Sequence, residues 1–554
     1  MGFLVSPGVE VNEIDLTNVI PSVSTSIGGI VGQFRWGRVN ELVTVGSEKD
    51  LAAQFGKPTA SIYEQYFQAA GFLQYANNLK VGRIVGSDAF NATSSHTDSD
   101  SDSPVSGVAI RIFNEDSYDA QKGTLLGGDS PGAFGSFFAK YPGALGNALK
   151  VHILDSSMLS SDSPSDTVEF STEFDAVPGT NEIHVVIEDD TGAISGTAGT
   201  VLEKYSFLSI VSGTKLADGT NNYYHDVINE RSEWIWCGEE LTSTTKEVFT
   251  LRLGSDGTAP SSQALASNYN TLFGDAETVE VNLLIGGGHS APEANNIISV
   301  ASARKDCVAF VSPRVNQTAN LTSSATQLAN VKEFANNINT SSYGFIDNTA
   351  LYVYDKYNDI FQYIPASGHT AGLCANTDNV AETWFSPAGF NRGVLRGVAK
   401  LAYNPPQTHR DELYKRRVNP IVSFPGQGIV LFGDKTTQSK PSAFDRINVR
   451  RLFITLEKAI ATAAKFQLFE LNDEFTRAQF RNAVEPFLRD VKGRRGVTDF
   501  LVVCDETNNT GEVIDGNRFV ADIFIKPARS INFISLNFIA TRTGVEFSEI
   551  VGTN

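Results

Sequence analysis

The stretch IGGGHSAPEAN, residues 285–295, holds the arrangement in this chain most suggestive of chemistry. Glycines at a strand-to-helix junction leave backbone amides free to hold an anion, and His289 beside them could pass a proton. The same glycines are also what a tight turn needs for geometry alone. No nucleophile, acid partner or metal ligand accompanies His289 in sequence. An α/β hydrolase or nucleotide-binding enzyme built on this turn is therefore the different-class alternative, and a structural turn is the reading adopted. PASGHTAGLCANTDN (365–379) places Ser367 and His369 two residues apart, closer than a nucleophile and its base usually stand, with no carboxylate to orient them.

Metal chemistry finds no better support. The seven histidines are at least 32 residues apart, so no HxxxH or HExxH pair exists. Cys237, Cys307, Cys374 and Cys504 are each more than 60 residues from the next, which reads as four small core residues. Asp98, Asp100 and Asp102 invite a calcium loop, but the sixth and twelfth positions hold Ser103 and Ala109 instead of Gly and Glu. FPGQGIVLFGDKTT fits neither dinucleotide nor P-loop spacing and reads as a turn followed by a strand. No catalytic residue, cofactor or metal is expected.

Charge excludes further classes. The 554 residues carry a net charge of −19. Residues 1–389 hold 20 Lys and Arg against 45 Asp and Glu, whereas residues 390–499 hold 20 against 11. An acidic majority argues against nucleic acid as a partner. No apolar run approaches the ~20 residues of a membrane span, so no membrane insertion is expected. Phe3–Val5 is too short for the apolar region of a signal peptide, which reads as a cytoplasmic chain.

The elements that would position these residues are of mixed type. SIYEQYFQAAGFLQYANN reads as a helix and LKVGRIV as a strand. Composition then shifts to Ser/Asp-rich segments at 86–107 and 155–175, as expected of loops around an inserted domain. From 278 onward strands alternate with helices, which implies right-handed crossovers and a partly parallel sheet. Ser290 and Glu293 form a capping box opening the helix APEANNIISVASAR. RINVRRLFITLEKAIATAAKFQLFE (446–470) is helical, with Leu452, Leu456, Ala459 and Ala463 on one stripe and Arg450, Arg451, Lys458 and Lys465 beside it. A second helix, NDEFTRAQFRNAVEPFLRDVKGRRG, is expected to bury Phe475, Phe480, Val484, Phe487 and Val491, and three strand-like runs follow it. In WFSPAGFNRGVL, Trp384 and Phe390 read as core or contact anchors.

Both ends carry short strands without a local partner. Val9 and Val11 alternate with Glu10 and Asn12, bounded by Ser6-Pro7-Gly8 and Pro21, and Val545 and Phe547 alternate likewise near the other end. An unpaired strand is a template for another chain's sheet.

Several long stretches together resemble the contractile tail sheath proteins of bacteriophages, in that family's order: SPGVEVNEIDLTNVIPSVSTSIGGIVG, PASGHTAGLCANTDN, WFSPAGFNRG, RINVRRLFITLEKAI and FIKPARSINFISLNFIATRTGVEF. KYPGALGNALKV, IEDDTGAISGTAGTVLEKY and NNYYHDVINERSEW are similar to the longer sheaths of T-even-type phages. The resemblance implies a non-enzymatic subunit that polymerises as stacked hexameric rings around a tail tube and contracts to drive the tube through the host envelope. Its implied partners are itself, the tube, and baseplate and neck or terminator proteins; its implied location is the virion, assembled in the host cytoplasm. The implied fold is a mixed α/β multidomain chain: a sheath core with donor strands at both ends and β-rich inserted outer domains. The implied division is a donor arm at 1–21, a discontinuous middle domain at 22–86 plus 343–390, an outermost insertion at 87–147, a second insertion at 148–342, an inner domain at 391–527, and a final strand and arm at 528–554. Val9, Val11, Ile14, Val545 and Phe547 would donate strands, and Arg450, Arg451, Lys458 and Lys465 would face the tube. A contractile bacteriocin or type VI secretion sheath is the alternative within the same mechanics.

Overall fold

The computed structural model describes residues 24–60, 62–94, 110–125, 135–159 and 170–536. The first elements are β1 (Gly28–Gly32), β2 (Leu42–Val45), α1 (Glu48–Phe55), α2 (Glu64–Leu73) and β3 (Leu79–Arg83). The helix and strand expected here lie where the periodicity put them. Ser47 caps α1 by accepting the Asp50 amide at 3.2 Å.

An insertion follows: α3 (Glu115–Leu125), β4 (Phe137–Ala139), β5 (Leu149–Leu154), β6 (Glu182–Asp189), β7 (Thr200–Ser209), α4 (Tyr224–Arg231), β8 (Ile235–Cys237) and β9 (Glu247–Thr250). Its main sheet is antiparallel, in the order β7-β6-β5-β9, and β4 pairs with β8. Val151, Ile153, Ile183, Val185, Ile187 and Tyr224 belong to its own apolar core. The insertion leaves and re-enters the body at one place: Asp88 accepts the Thr258 amide at 2.7 Å and the Thr258 hydroxyl at 2.8 Å.

The body resumes with α5 (Ser262–Phe273), β10 (Leu283–Gly287), α6 (Ala291–Arg304), β11 (Val308–Ser312), α7 (Ser324–Asn336) and β12 (Gly344–Asp347). Then come β13 (Ala350–Asp355), β14 (Ile360–Pro365), α8 (Ser367–Val380), β15 (Val398–Leu401), α9 (Gln407–Lys415), β16 (Val418–Asn419), β17 (Ile421–Phe424), β18 (Gly428–Leu431) and α10 (Ile447–Ala464). One seven-stranded sheet organises the body, in the order β16-β12-β11-β10-β1-β3-β2. Every neighbouring pair in it is parallel except β2 with β3. β13, β14 and β15 form a separate antiparallel sheet, and β17 pairs with β18 in a hairpin whose second strand is the one expected after the turn in FPGQGIVLFGDKTT.

This topology corrects two expected boundaries. β10 pairs with β1 from Gly28↔Leu283 onward and with β11 from Leu283↔Val308, so residues 283–312 share the sheet of residues 28–83. They are not part of an insertion reaching 342; the inserted sheets close by β9. The strand–helix alternation from 278 onward was the body's own sheet resuming, and no composition shift marks that return. Likewise β16 pairs with β12 and β15 with β13, so residues 391–431 belong with the body and not with a separate inner domain. The chain divides into compact units after Phe469.

The insertion holds nearly all the charge imbalance. Residues 86–260 contain 27 Asp and Glu against 9 Lys and Arg, and the remainder of the chain contains 36 against 35. Arg83 joins insertion to body: its buried guanidinium donates to the carbonyls of Phe34 (2.8 Å), Gly37 (2.8 Å), Arg35 (3.2 Å) and, in the insertion, Pro142 (2.7 Å). Burial pulls its pKa down to about 9. Beside it Trp36 stacks on Trp234 at 5.2 Å and meets the edge of Tyr141 at 5.4 Å.

The second unit begins at Glu470. It comprises α11 (Glu474–Gly493), β19 (Val497–Val503), α12 (Gly511–Asp515) and β20 (Asp522–Pro527). Asp473 caps α11, accepting the Thr476 amide at 2.8 Å. Phe480, Val484 and Val491 are buried as expected, but Leu488 fills the place expected of Phe487, which is half-buried. Phe475 is 75% exposed, contrary to expectation, because the buried stripe of α11 runs through Thr476, Phe480, Val484, Leu488 and Val491 and Phe475 falls beside it.

Candidate assembly site

The glycine turn does not form an open pocket. It follows β10 at the carboxyl ends of the parallel strands, where open α/β sheets commonly bind ligands. Gly288 has φ +83°, which a non-glycine residue adopts only with strain. The helix amides beyond it already have a carboxylate: the Ser290 N–H donates to Glu293 at 2.7 Å, and Arg314 pairs with the same Glu293 oxygen at 3.1 Å. The expected capping box is thus present, and it occupies the anion position itself. The space beside the strand end is filled too. A Cβ at Gly287 would lie 2.3 Å from Ser367 Oγ and 2.6 Å from Gln68 Oε1. Gln68 accepts the Gly287 amide at 3.1 Å and the Ser367 hydroxyl at 2.7 Å. His289 is buried, which holds its pKa down to about 4 and leaves it neutral at pH 7.

Ser367 and His369 lie on α8, a helix buried almost throughout, so PASGHTAGLCANTDN is core and not a surface loop. A Cβ at Gly71 on α2 would stand 2.5 Å from the His369 ring, which shows how closely the two helices pack. Burial holds the His369 pKa down to about 4 as well. The four cysteines are buried and unpaired, in keeping with core residues. Among the described residues no cluster of His, Cys, Asp and Glu could hold a metal, and no helix is long and apolar enough to cross a membrane.

The basic set of α10 separates into inner and outer members. Arg450 is buried, 3.2 Å from both Glu457 oxygens, with its guanidinium 4.6 Å from the ring centroids of Tyr343 and Phe444. Arg451 is buried against Asp378 at 2.6 Å and donates to the Cys374 carbonyl at 3.1 Å. Neither guanidinium reaches the surface, so the expectation that these two face a partner does not hold for the subunit as folded. The helix turns them inward because Asp378 and the Tyr343–Phe444 slot supply partners that linear sequence does not reveal. Lys458 pairs with Glu280 and is half-buried, and Lys465 stands exposed at the helix end. Trp384 is half-buried and Phe390 is exposed, packed on Phe424 at 5.4 Å and Phe432 at 6.0 Å.

The second unit presents a different kind of site. β19 and β20 form an antiparallel sheet of only two strands among the described residues. Leu501 and Phe524 lie directly opposite each other and are 58% and 60% exposed, while their neighbours Val502 and Ile523 turn to the other face. A two-stranded ribbon is marginal on its own, and its outer edges carry unspent amides and carbonyls. The expected strand after β20 is not formed through Leu536; Ile531, Phe533, Ile534 and Leu536 are instead exposed. The expected donor positions Val9, Val11, Ile14, Val545 and Phe547 lie outside the described residues, as do Asp98, Asp100 and Asp102. The VTDFLVV run signalled β19 in sequence, but nothing there signalled that it would find one partner strand only among the described residues.

The model of the phage tail sheath protein central domain matches residues 261–437, and that of the phage tail sheath C-terminal domain matches residues 439–541. Among curated proteins, the tail sheath protein of Vibrio phage KVP40 is 33% identical across 99% of this chain and 100% of its own length. That of Enterobacteria phage T4 is also 33% identical, across 99% of both chains. Among solved structures, the sheath tail protein Lin1278 from Listeria innocua shares the fold with a TM-score of 0.56 at 11% identity, covering 92% of this chain and 93% of that one. The contracted sheath complex of the extracellular contractile injection system PVC gives 0.51 at 12% identity, covering 98% and 99%. At 33% identity to curated sheaths across 99% of its length, the chain belongs to the tail sheath protein family of contractile bacteriophages.

Proposed function

We propose that this sheath subunit polymerises as stacked hexameric rings around a tail tube by donating its terminal strands to the β19–β20 sheet of neighbouring copies. The observation that carries the reading is the two-stranded sheet itself, with open edges and an exposed Leu501–Phe524 pair. Added strands would spend the edge hydrogen bonds, with alternate side chains setting specificity. Val9, Val11 and Ile14 at one end and Val545 and Phe547 at the other have the strand alternation a donor needs. A head-to-tail contact of this kind need not close on itself, and such contacts generate helical arrays. Baseplate triggering would then compress the stack and drive the tube onward, with a baseplate at one end and a terminator at the other. The role is mechanical and not enzymatic. Assembly takes place in the host cytoplasm, before the sheath is part of a virion. The tube-facing role falls to Lys465, with Lys458 beside it, since Arg450 and Arg451 are engaged inside the subunit.

The test is electron microscopy of the purified chain with and without residues 1–20. The full chain should yield long tubes. The truncated chain should remain a folded subunit with an unchanged melting temperature and no tubes. Regular tubes from the truncated chain would end the strand-donor reading.

A further inference from the structure

We propose that Thr25, Asp378, Thr383 and Arg451 form a clamp at the root of the N-terminal arm, so that tension on the arm is carried into α8 and α10 before it reaches β1. The proposal rests on the reading of that arm as an inter-subunit donor. Thr25 stands just inside the described chain, between the arm and β1. Its hydroxyl donates to Asp378 Oδ2 at 2.8 Å, and its carbonyl accepts from Arg451 Nη2 at 3.4 Å. Thr383 Oγ1 donates to Thr25 Oγ1 at 3.3 Å. Arg451 closes the group, with Nη2 at 2.6 Å from the same Asp378 oxygen and Nη1 donating to the Cys374 carbonyl at 3.1 Å. One short segment of chain is thereby tied to two helices from elsewhere in the sequence.

The position of this group is what gives it a mechanical meaning. Two residues further on, the Ile27 carbonyl accepts the amides of Asn282 at 2.9 Å and Leu283 at 3.1 Å, and the parallel pairing of β1 with β10 begins. Force applied to the arm without a clamp would fall directly on these ladder bonds. The clamp lies on the arm side of the first ladder bond. Its load passes to α8, which is buried almost throughout, and to α10. Burying an arginine–carboxylate pair is expensive in solvation and adds little stability over an apolar pair, so its value lies in fixing a geometry. Here the geometry fixed is that of Thr25, ahead of β1.

The experiment compares full-length wild type with Thr25→Val and, separately, Asp378→Asn. Thr25→Val removes the hydroxyl but keeps the shape and leaves the Arg451–Asp378 pair intact, so it should fold even if Asp378→Asn does not. Hydrogen exchange of the peptide covering residues 24–30 should quicken at least about tenfold in Thr25→Val, with protection of α10 unchanged. The protein concentration needed to form tubes should rise several-fold. Exchange and assembly equal to wild type in Thr25→Val would overturn the clamp. The residue 1–20 deletion separates the two ideas: tubes from that deletion overturn strand donation, whereas the exchange rate at residues 24–30 reports on the clamp alone.

Discussion

Three buried titratable side chains in the body each make a contribution to the acid response that can be worked out residue by residue. His289 and His369 have pKa values held to about 4 by burial, against 6.5 when free. Below 6.5 the unfolded chain takes up protons that the folded chain refuses, so their contribution is full above that pH and is lost as pH falls towards 4. Asp347 behaves in the opposite sense. Burial raises its pKa to about 7, while the Ser312 hydroxyl donates to it at 2.5 Å. The folded state therefore binds the proton more tightly, and this contribution is full below 3.8 and lost as pH rises through 7. Between pH 4.5 and 6 each histidine lowers stability by about 1.4 kcal/mol per pH unit of acidification, and Asp347 opposes them by a similar amount. Relative to wild type, urea unfolding across this window should show a slope of stability against pH lower by about 1.4 kcal/mol per pH unit in His369→Gln and higher by about as much in Asp347→Asn. Parallel curves for all three proteins would exclude these residues as the source. Sequence alone could not assign these roles. His289 is legible as a turn residue and His369 as a poor catalyst, but the burial of His369 depends on α2 and α8 meeting. Arg450 and Arg451 were misjudged for the same reason, since a basic run on a helix looks like a surface until Asp378, some 73 positions away, is seen beside it.

At the level of elements, the parallel sheet was readable because its cues are local. Ser290 and Glu293 announced α6, and the apolar run CVAFV announced β11 between two helices. The end of the insertion was not readable, because β10 rejoins β1 across more than 240 intervening residues and no local cue marks that pairing. The ribbon of β19 and β20 is the element with the most to say about function. Leu501 and Phe524 face each other across the ribbon and are more than half exposed among the described residues, so Leu501→Ser with Phe524→Ser should change subunit stability by no more than about 1 kcal/mol. Tube yield should nevertheless fall sharply, because the donated strand would lose its apolar seat. Thermal unfolding and sedimentation of assembled material measure the two effects separately. Wild-type tube yield from the double variant would remove that face from the interface.

Over the whole molecule, charge and architecture divide along the same line. The insertion at 86–260 carries 27 acidic against 9 basic residues, while everything else is balanced at 36 against 35. The insertion enters and leaves at Asp88 and Thr258, and Arg83 and Trp36 hold it to the body. A homopolymer of such subunits would gain most by holding its acidic parts apart at large radius, where repulsion between copies is least and is screened over about 8–10 Å. Strand donation asks the opposite of the second unit, which must lie against other copies. A cryo-electron microscopy map of tubes assembled from the purified chain tests both demands together. The expected map shows the β19–β20 sheet of each subunit extended by strands from other copies, with the acidic insertion on the outside. A map in which β19 and β20 remain a two-stranded ribbon, with both arms folded on their own subunit, would contradict it.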